Sequence, residues 1–113
     1  ATIYDLAGAT YPAAAPPLEG RSLRPAFADR GIEREALYWE HEGNRAVRVG
    51  PWKLVAKHNG AWELYNIDAD RVESTNLAAR EPERVRDMTA RYASWAARAQ
   101  VEPWPVNPAK KKN

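Results

Sequence analysis

The densest polar cluster in this 113-residue chain is Glu40-His41-Glu42-Gly43-Asn44-Arg45, with Arg48 just beyond it. An imidazole flanked by carboxylates can ligate a metal or move a proton, and an amide with two guanidiniums can hold an anion. His41 and His58 have no metal-ligand spacing between them, and no metal site is expected in the chain. The residues alone leave two readings: a solvated polar hairpin, or a hairpin that touches a substrate. Arg45 and Arg48 fall on opposite faces of one strand, so one is expected in solvent. The other snorkels, pairs with an acid or contacts an anion. Nucleophiles are scarce. The chain has no cysteine, which excludes disulfides, thiolate metal sites and cysteine catalysis. Ser22, Ser74 and Ser94 have no histidine and carboxylate nearby in sequence. The glycines form no phosphate-cradling loop. No catalytic residue is expected in this chain.

The elements that must position this cluster can be read from periodicity. Residues 36–40 and 45–49 read as strands joined by the polar turn. Gly50-Pro51 suits a type II′ turn into a third strand at 52–57, because glycine supplies the positive φ and proline the next position. Asn59-Gly60 predicts a tight hairpin into a fourth strand at 62–66. Pro82 opens a helix running to about residue 99, with Val85, Met88, Tyr92, Trp95 and Ala99 on one stripe. Arg84, Arg91 and Arg98 line another face, and Asp87 is spaced to pair with Arg91. The expected fold is α+β, a four-stranded antiparallel β-meander packed against a C-terminal amphipathic α-helix. Residues 1–35 read as an irregular connector from another domain. Pro12, Pro16, Pro17 and Pro25 break it, and Gly8 stops a short helix. Residues 36–104 form the α+β unit, with Trp104 folding back as an apolar anchor, and 105–113 a flexible tail.

Composition is that of an ordinary globular chain, with 44% apolar and 28% charged residues. No apolar run is long enough to span a bilayer. The pI near 9.1 hints at nucleic acid. Setting aside Lys110, Lys111 and Lys112, however, leaves 14 basic residues against 15 acidic ones. The excess charge sits in a tail, and nucleic acid is not expected as a partner. Five tryptophans suggest either core packing, expected for at least three of them, or an exposed stacking surface.

Six stretches then stand in a familiar order: Asp5-Leu6-Ala7-Gly8, Leu18-Glu19-Gly20-Arg21-Ser22-Leu23, the run from Leu37 to Arg48, Trp52-Lys53-Leu54, Glu63-Leu64-Tyr65-Asn66, and Glu73 followed by Asn76-Leu77-Ala78. Together they resemble the C-terminal subdomain of arylsulfatase-like sulfatases, over roughly residues 1–104. The resemblance implies a parent enzyme that hydrolyses sulfuric esters with a formylglycine, made from a C/S-x-P-x-R motif, beside a divalent cation, by family habit calcium. This chain has no such motif, so by itself it is expected to be inactive and to carry no cofactor. The implied partners are the catalytic domain of the same polypeptide and its sulfate-ester substrate. By the same analogy His41, Asn44, Arg45 and Arg48 are candidates for the border of the substrate cleft. One sheet face or edge should be unusually apolar where the catalytic domain covers it, and self-association through that uncovered surface is expected. Export of the parent, periplasmic or secreted, fits the family; residues 1–5 carry no charged leader, and a cytoplasmic parent is left open. The competing reading is a free-standing carbohydrate- or peptide-binding module.

Overall fold

A computed structural model describes residues 1–106; the Lys110–Lys112 tail and Pro108 lie outside the described residues. The chain divides into two compact units, Ala1–Arg34 and Glu35 onward. In the first, helix α1 spans Thr2–Ala7 and ends at Gly8, whose φ of 64° and ψ of 21° are left-handed. The Gly8 N–H donates to the Asp5 carbonyl at 3.3 Å, as expected of a glycine stop. Asp5 also gathers the Ser22 hydroxyl at 2.6 Å and the Arg24 guanidinium at 3.2 Å. These two donors hold its carboxyl below the usual range. Residues 24–28 form a 3-10 helix that an irregular connector does not lead one to expect. Pro25 starts it without cost, since the first N–H of such a turn has no partner to lose. None of the described residues 1–34 is buried.

The second unit builds the core. Among its described residues, β1 (Leu37–His41), β2 (Asn44–Val49), β3 (Trp52–Ala56) and β4 (Glu63–Asn66) form one antiparallel sheet in sequence order. Register places Val47 opposite Leu54 and Leu54 opposite Leu64, and all three have 0% exposure. Because strand side chains alternate, this one row commits every second residue to the same face. Helix α2 (Pro82–Arg98) covers it, burying Met88 and Tyr92 against the row. Val85, Trp95 and Ala96 add partly buried contacts. Ala96 takes the last contact in place of Ala99, which is exposed beyond the end of the helix.

Three tryptophans pack against this core, as expected: Trp52, Trp62 and Trp95. Tyr38 stacks on Trp95 with centroids 5.2 Å apart. Arg84 lies over Trp52 at 4.1 Å, so the arginine face of α2 is not simply solvated. Arg91 makes the anticipated pair with Asp87 at 2.8 Å and a second with Glu35 at 2.6 Å. Those two carboxylates, Glu35 first, raise its already high pKa. Trp104 remains 42% exposed and is only a partial anchor.

The Gly50-Pro51 turn forms as expected, with Gly50 at φ 55°. Asn59-Gly60 does not make a two-residue hairpin. Pairing between β3 and β4 stops at Val55–Glu63, and the connection widens around a turn closed by Gly60 N–H on the Lys57 carbonyl at 2.9 Å. Side chains of β2 hold the backbone of this connection, and one of them takes the His58 N–H that a tight hairpin would have paired. Asn44 Oδ1 accepts the His58 N–H at 3.1 Å, and Arg45 donates to the Gly60 carbonyl at 3.3 Å.

The outer edge of β4 is also closed. Asn76 Oδ1 accepts the Leu64 N–H at 3.1 Å, and Leu77 N–H donates to the Leu64 carbonyl at 2.8 Å. Leu64 therefore joins the core row to the segment that leads into α2. Leu64→Ala is expected to cost about 2–5 kcal/mol, the usual range for a buried leucine. Urea unfolding monitored by circular dichroism checks it; a loss below about 1 kcal/mol would show that the row is not the centre of the core.

Candidate functional site

The β1–β2 turn is two residues long, Glu42-Gly43, with φ values of 52° and 79°. Positive φ at both central positions is the type I′ geometry that matches strand twist. Glu40 Oε1 accepts the Gly43 N–H at 2.7 Å, and Asn44 Nδ2 donates to the His41 carbonyl at 2.9 Å. A Cβ at Gly43 would collide with the His58 ring. The hairpin tip is thus clamped from inside by Glu40 and Asn44, and from the β3–β4 connection by His58.

The four sequence-derived candidates separate across the sheet. His41 pairs with Asn44 and Leu37 with Arg48, which puts His41 and Arg48 on the face away from α2. His41 and Arg48 are both exposed. Arg45 points the other way. Its guanidinium lies 4.6 Å from the Trp62 ring centroid and reaches the Gly60 carbonyl, while its Nε is buried with no hydrogen-bond partner among the described residues. It lines a second concavity of about 510 Å³ with His58, Tyr92, Glu102 and Trp104. Burial there, followed by the nearby Glu40 charge, raises the Tyr92 hydroxyl pKa. Asn44 is occupied in holding the turn and the start of the β3–β4 connection.

The face away from α2 holds more than the candidates anticipated. Trp39 pairs with Ala46 and is 48% exposed. Arg48 sits beside Lys53, which is ion-paired with Glu73. A concavity of about 620 Å³ opens here, lined by Trp39, Ala46 and Ile67 together with Arg48, Lys53, Asp68, Arg71 and Glu73. Asp70 fixes the loop that carries Arg71. It accepts the Ser74 and Thr75 N–H groups, each at 2.8 Å, and these backbone donors, Thr75 first, lower its pKa. The parity of Trp39 with His41 in β1 was the available signal for this face; nothing local in the sequence brings Arg71 to it. The face is mixed, with Trp39, Ala46 and Ile67 set among charged side chains. Exposed large apolar side chains occur both on this face, with Trp39 and Leu37, and in residues 1–34, including Ile3 at 81% and Phe27 at 69%. Among the described residues no group of acidic or histidine side chains is arranged to hold a metal ion, and no helix is long and apolar enough to cross a membrane.

Gly43→Ala is expected to destabilise the chain by at least about 1–2 kcal/mol, the ordinary cost of a left-handed non-glycine residue. Removing the ring with His58→Ala should recover the collision part in a double-mutant cycle. Additive losses in denaturant unfolding would show that the ring and the turn are not in contact.

No protein-family model and no curated protein sequence matches the chain. Solved structures do. One is BT33336S-sulf of Bacteroides thetaiotaomicron, described with the metabolism of multiple glycosaminoglycans, at TM-score 0.72, 19% identity, 85% of this chain and 23% of that one. Ps i-CgsB, solved with a neocarrahexaose, aligns at TM-score 0.70 and 23% identity over 96% of this chain and 25% of its own. BT4656, solved with its substrate D-glucosamine-2-N,6-O-disulfate, aligns at TM-score 0.65 and 22% identity over 99% of this chain and 24% of its own. All three are sulfatases, and the chain spans about a quarter of the length of each. The chain has the fold of a sulfatase C-terminal subdomain.

Proposed function

We propose that this chain serves as the C-terminal subdomain of an arylsulfatase-like sulfuric ester hydrolase, packing on the catalytic domain of the same polypeptide and completing one border of its substrate cleft. The observation that carries this reading is the agreement of two independent features. Six sequence stretches stand in the order of that subdomain, and the fold they build is the one shared with sulfatases. The motifs also have physical work in the fold. Lys53 of Trp52-Lys53-Leu54 pairs with Glu73, Leu54 and Leu64 are core, and Asn76 closes the sheet edge.

Formylglycine and the divalent cation would belong to the catalytic domain and would supply the attack on sulfur there. The chain itself lacks a C/S-x-P-x-R motif and on this reading is inactive alone. Its residues contribute packing and borders. Residues 1–34 bury none of their large apolar side chains, and burying such surface against another domain would be favourable at roughly 25 cal/mol per Å². We assign them the contact with the catalytic domain.

The hairpin end of the open face borders the cleft. His41, exposed at the end of β1, offers a ring nitrogen to a sulfate oxygen or a substrate hydroxyl. Asn44 keeps the hairpin in one geometry, and Arg48 on the same face can hold an anion as a bidentate fork. Arg45, which packs on Trp62 on the opposite face, is given no place in the border on this reading. In the full-length enzyme, His41→Ala is expected to lower kcat/KM about five- to tenfold, the worth of one hydrogen bond of roughly 1–1.5 kcal/mol. Unchanged kcat/KM across several sulfate esters would remove His41 from the cleft.

A further inference from the structure

The open sheet face combines an aromatic platform with two guanidiniums that make no ion pair among the described residues. Trp39 stands in the cross-strand row Trp39–Ala46–Val55. Its neighbour Ala46 is too short to cover the indole, which is left 48% exposed. Arg48 Nε donates to the Gly50 carbonyl at 3.1 Å, which steadies the side chain and leaves its terminal N–H groups available. Arg71 is carried by the loop that Asp70 and the Lys53–Glu73 pair hold in place. Among the described residues neither Arg48 nor Arg71 takes part in an ion pair. Lys53 and Glu73 cancel each other, so the concavity is left with two guanidiniums against Asp68.

These features specify a ligand class. An exposed indole stacks on the apolar face of a ring, and planar guanidiniums grip a tetrahedral or planar oxyanion through paired N–H donors. A volume of about 620 Å³ falls within the range of small-ligand sites. We propose that this face binds one sulfated sugar unit of a saccharide, its ring on Trp39 and its sulfate held by Arg48 and Arg71. Asp68, on the rim, accepts from a sugar hydroxyl. The aromatic and cationic groups select an anionic sugar; the choice of sulfate over carboxylate rests on the sulfatase reading above.

Calorimetric titration of the 113-residue chain with N-acetylglucosamine 6-sulfate tests this, with N-acetylglucosamine, glucuronic acid and inorganic sulfate as comparators. The sulfated sugar is expected to bind saturably and at least tenfold more tightly than each comparator. Arg48→Ala, Arg71→Ala and Trp39→Ala should each weaken it about tenfold or more with unchanged circular dichroism, while Arg86→Ala, on exposed α2 surface, should leave it unaltered. The proposal is overturned if binding is not saturable, if inorganic sulfate binds as well (an adventitious ion only), or if the three variants bind like the parent chain. Equal binding of glucuronic acid overturns the sulfate assignment. None of these results bears on whether the full-length polypeptide carries a C/S-x-P-x-R motif, so the two readings fail separately.

Discussion

The structure depends on one cross-strand row, Val47, Leu54 and Leu64, closed on its helix side by Met88 and Tyr92. A strand's side chains alternate, so burying this row decides the orientation of every other residue in the sheet. A one-residue slip of any strand would place its polar set under α2. The closed edge at β4 protects the same register. Asn76 and Leu77 take up the backbone groups of Leu64 just where the chain turns toward α2.

That constraint divides the labour between the two faces. Toward α2, arginines are used as packing material: Arg45 over Trp62 and Arg84 over Trp52. Such pairs bury long aliphatic stems while the guanidinium lies on an aromatic ring. Away from α2, the same residue types are left free for contacts. His41, Trp39 and Arg48 are exposed there, and the Lys53–Glu73 pair anchors the loop that brings up Arg71. Two arginines three positions apart in one strand thus lie on opposite faces of the sheet, set by strand parity alone.

Much of this was legible in the sequence. Strand alternation and the helical spacing around Met88 and Tyr92 pointed to the α+β meander and to most of its core. Gly8 and Gly50 marked chain reversals because each sits at a positive φ. The connection between β3 and β4 was not legible. Asn59-Gly60 is a strong local hairpin signal, but Asn44, distant in sequence, claims the His58 N–H that it needs, and Arg45 holds the Gly60 carbonyl. The candidate site was half legible for a related reason. Parity separated Arg45 from Arg48 without saying which of them faces α2. Arg71 reaches the open face through a loop whose geometry comes from Asp70 and Glu73, and no periodicity reports such a loop.

The central claim is that this unit belongs to a larger sulfatase, and the native polypeptide's mass tests it most directly. An antibody raised against the chain, used on extracts of the source cells, should detect a band several times heavier than 12.7 kDa, because the sulfatases that share the fold are about four times as long. The sequence of that band should contain a C/S-x-P-x-R motif upstream of Thr2. A single native species of about 12.7 kDa, encoded by a gene with no C/S-x-P-x-R motif and so not a processed fragment, would contradict the account and leave a free-standing binding module in its place.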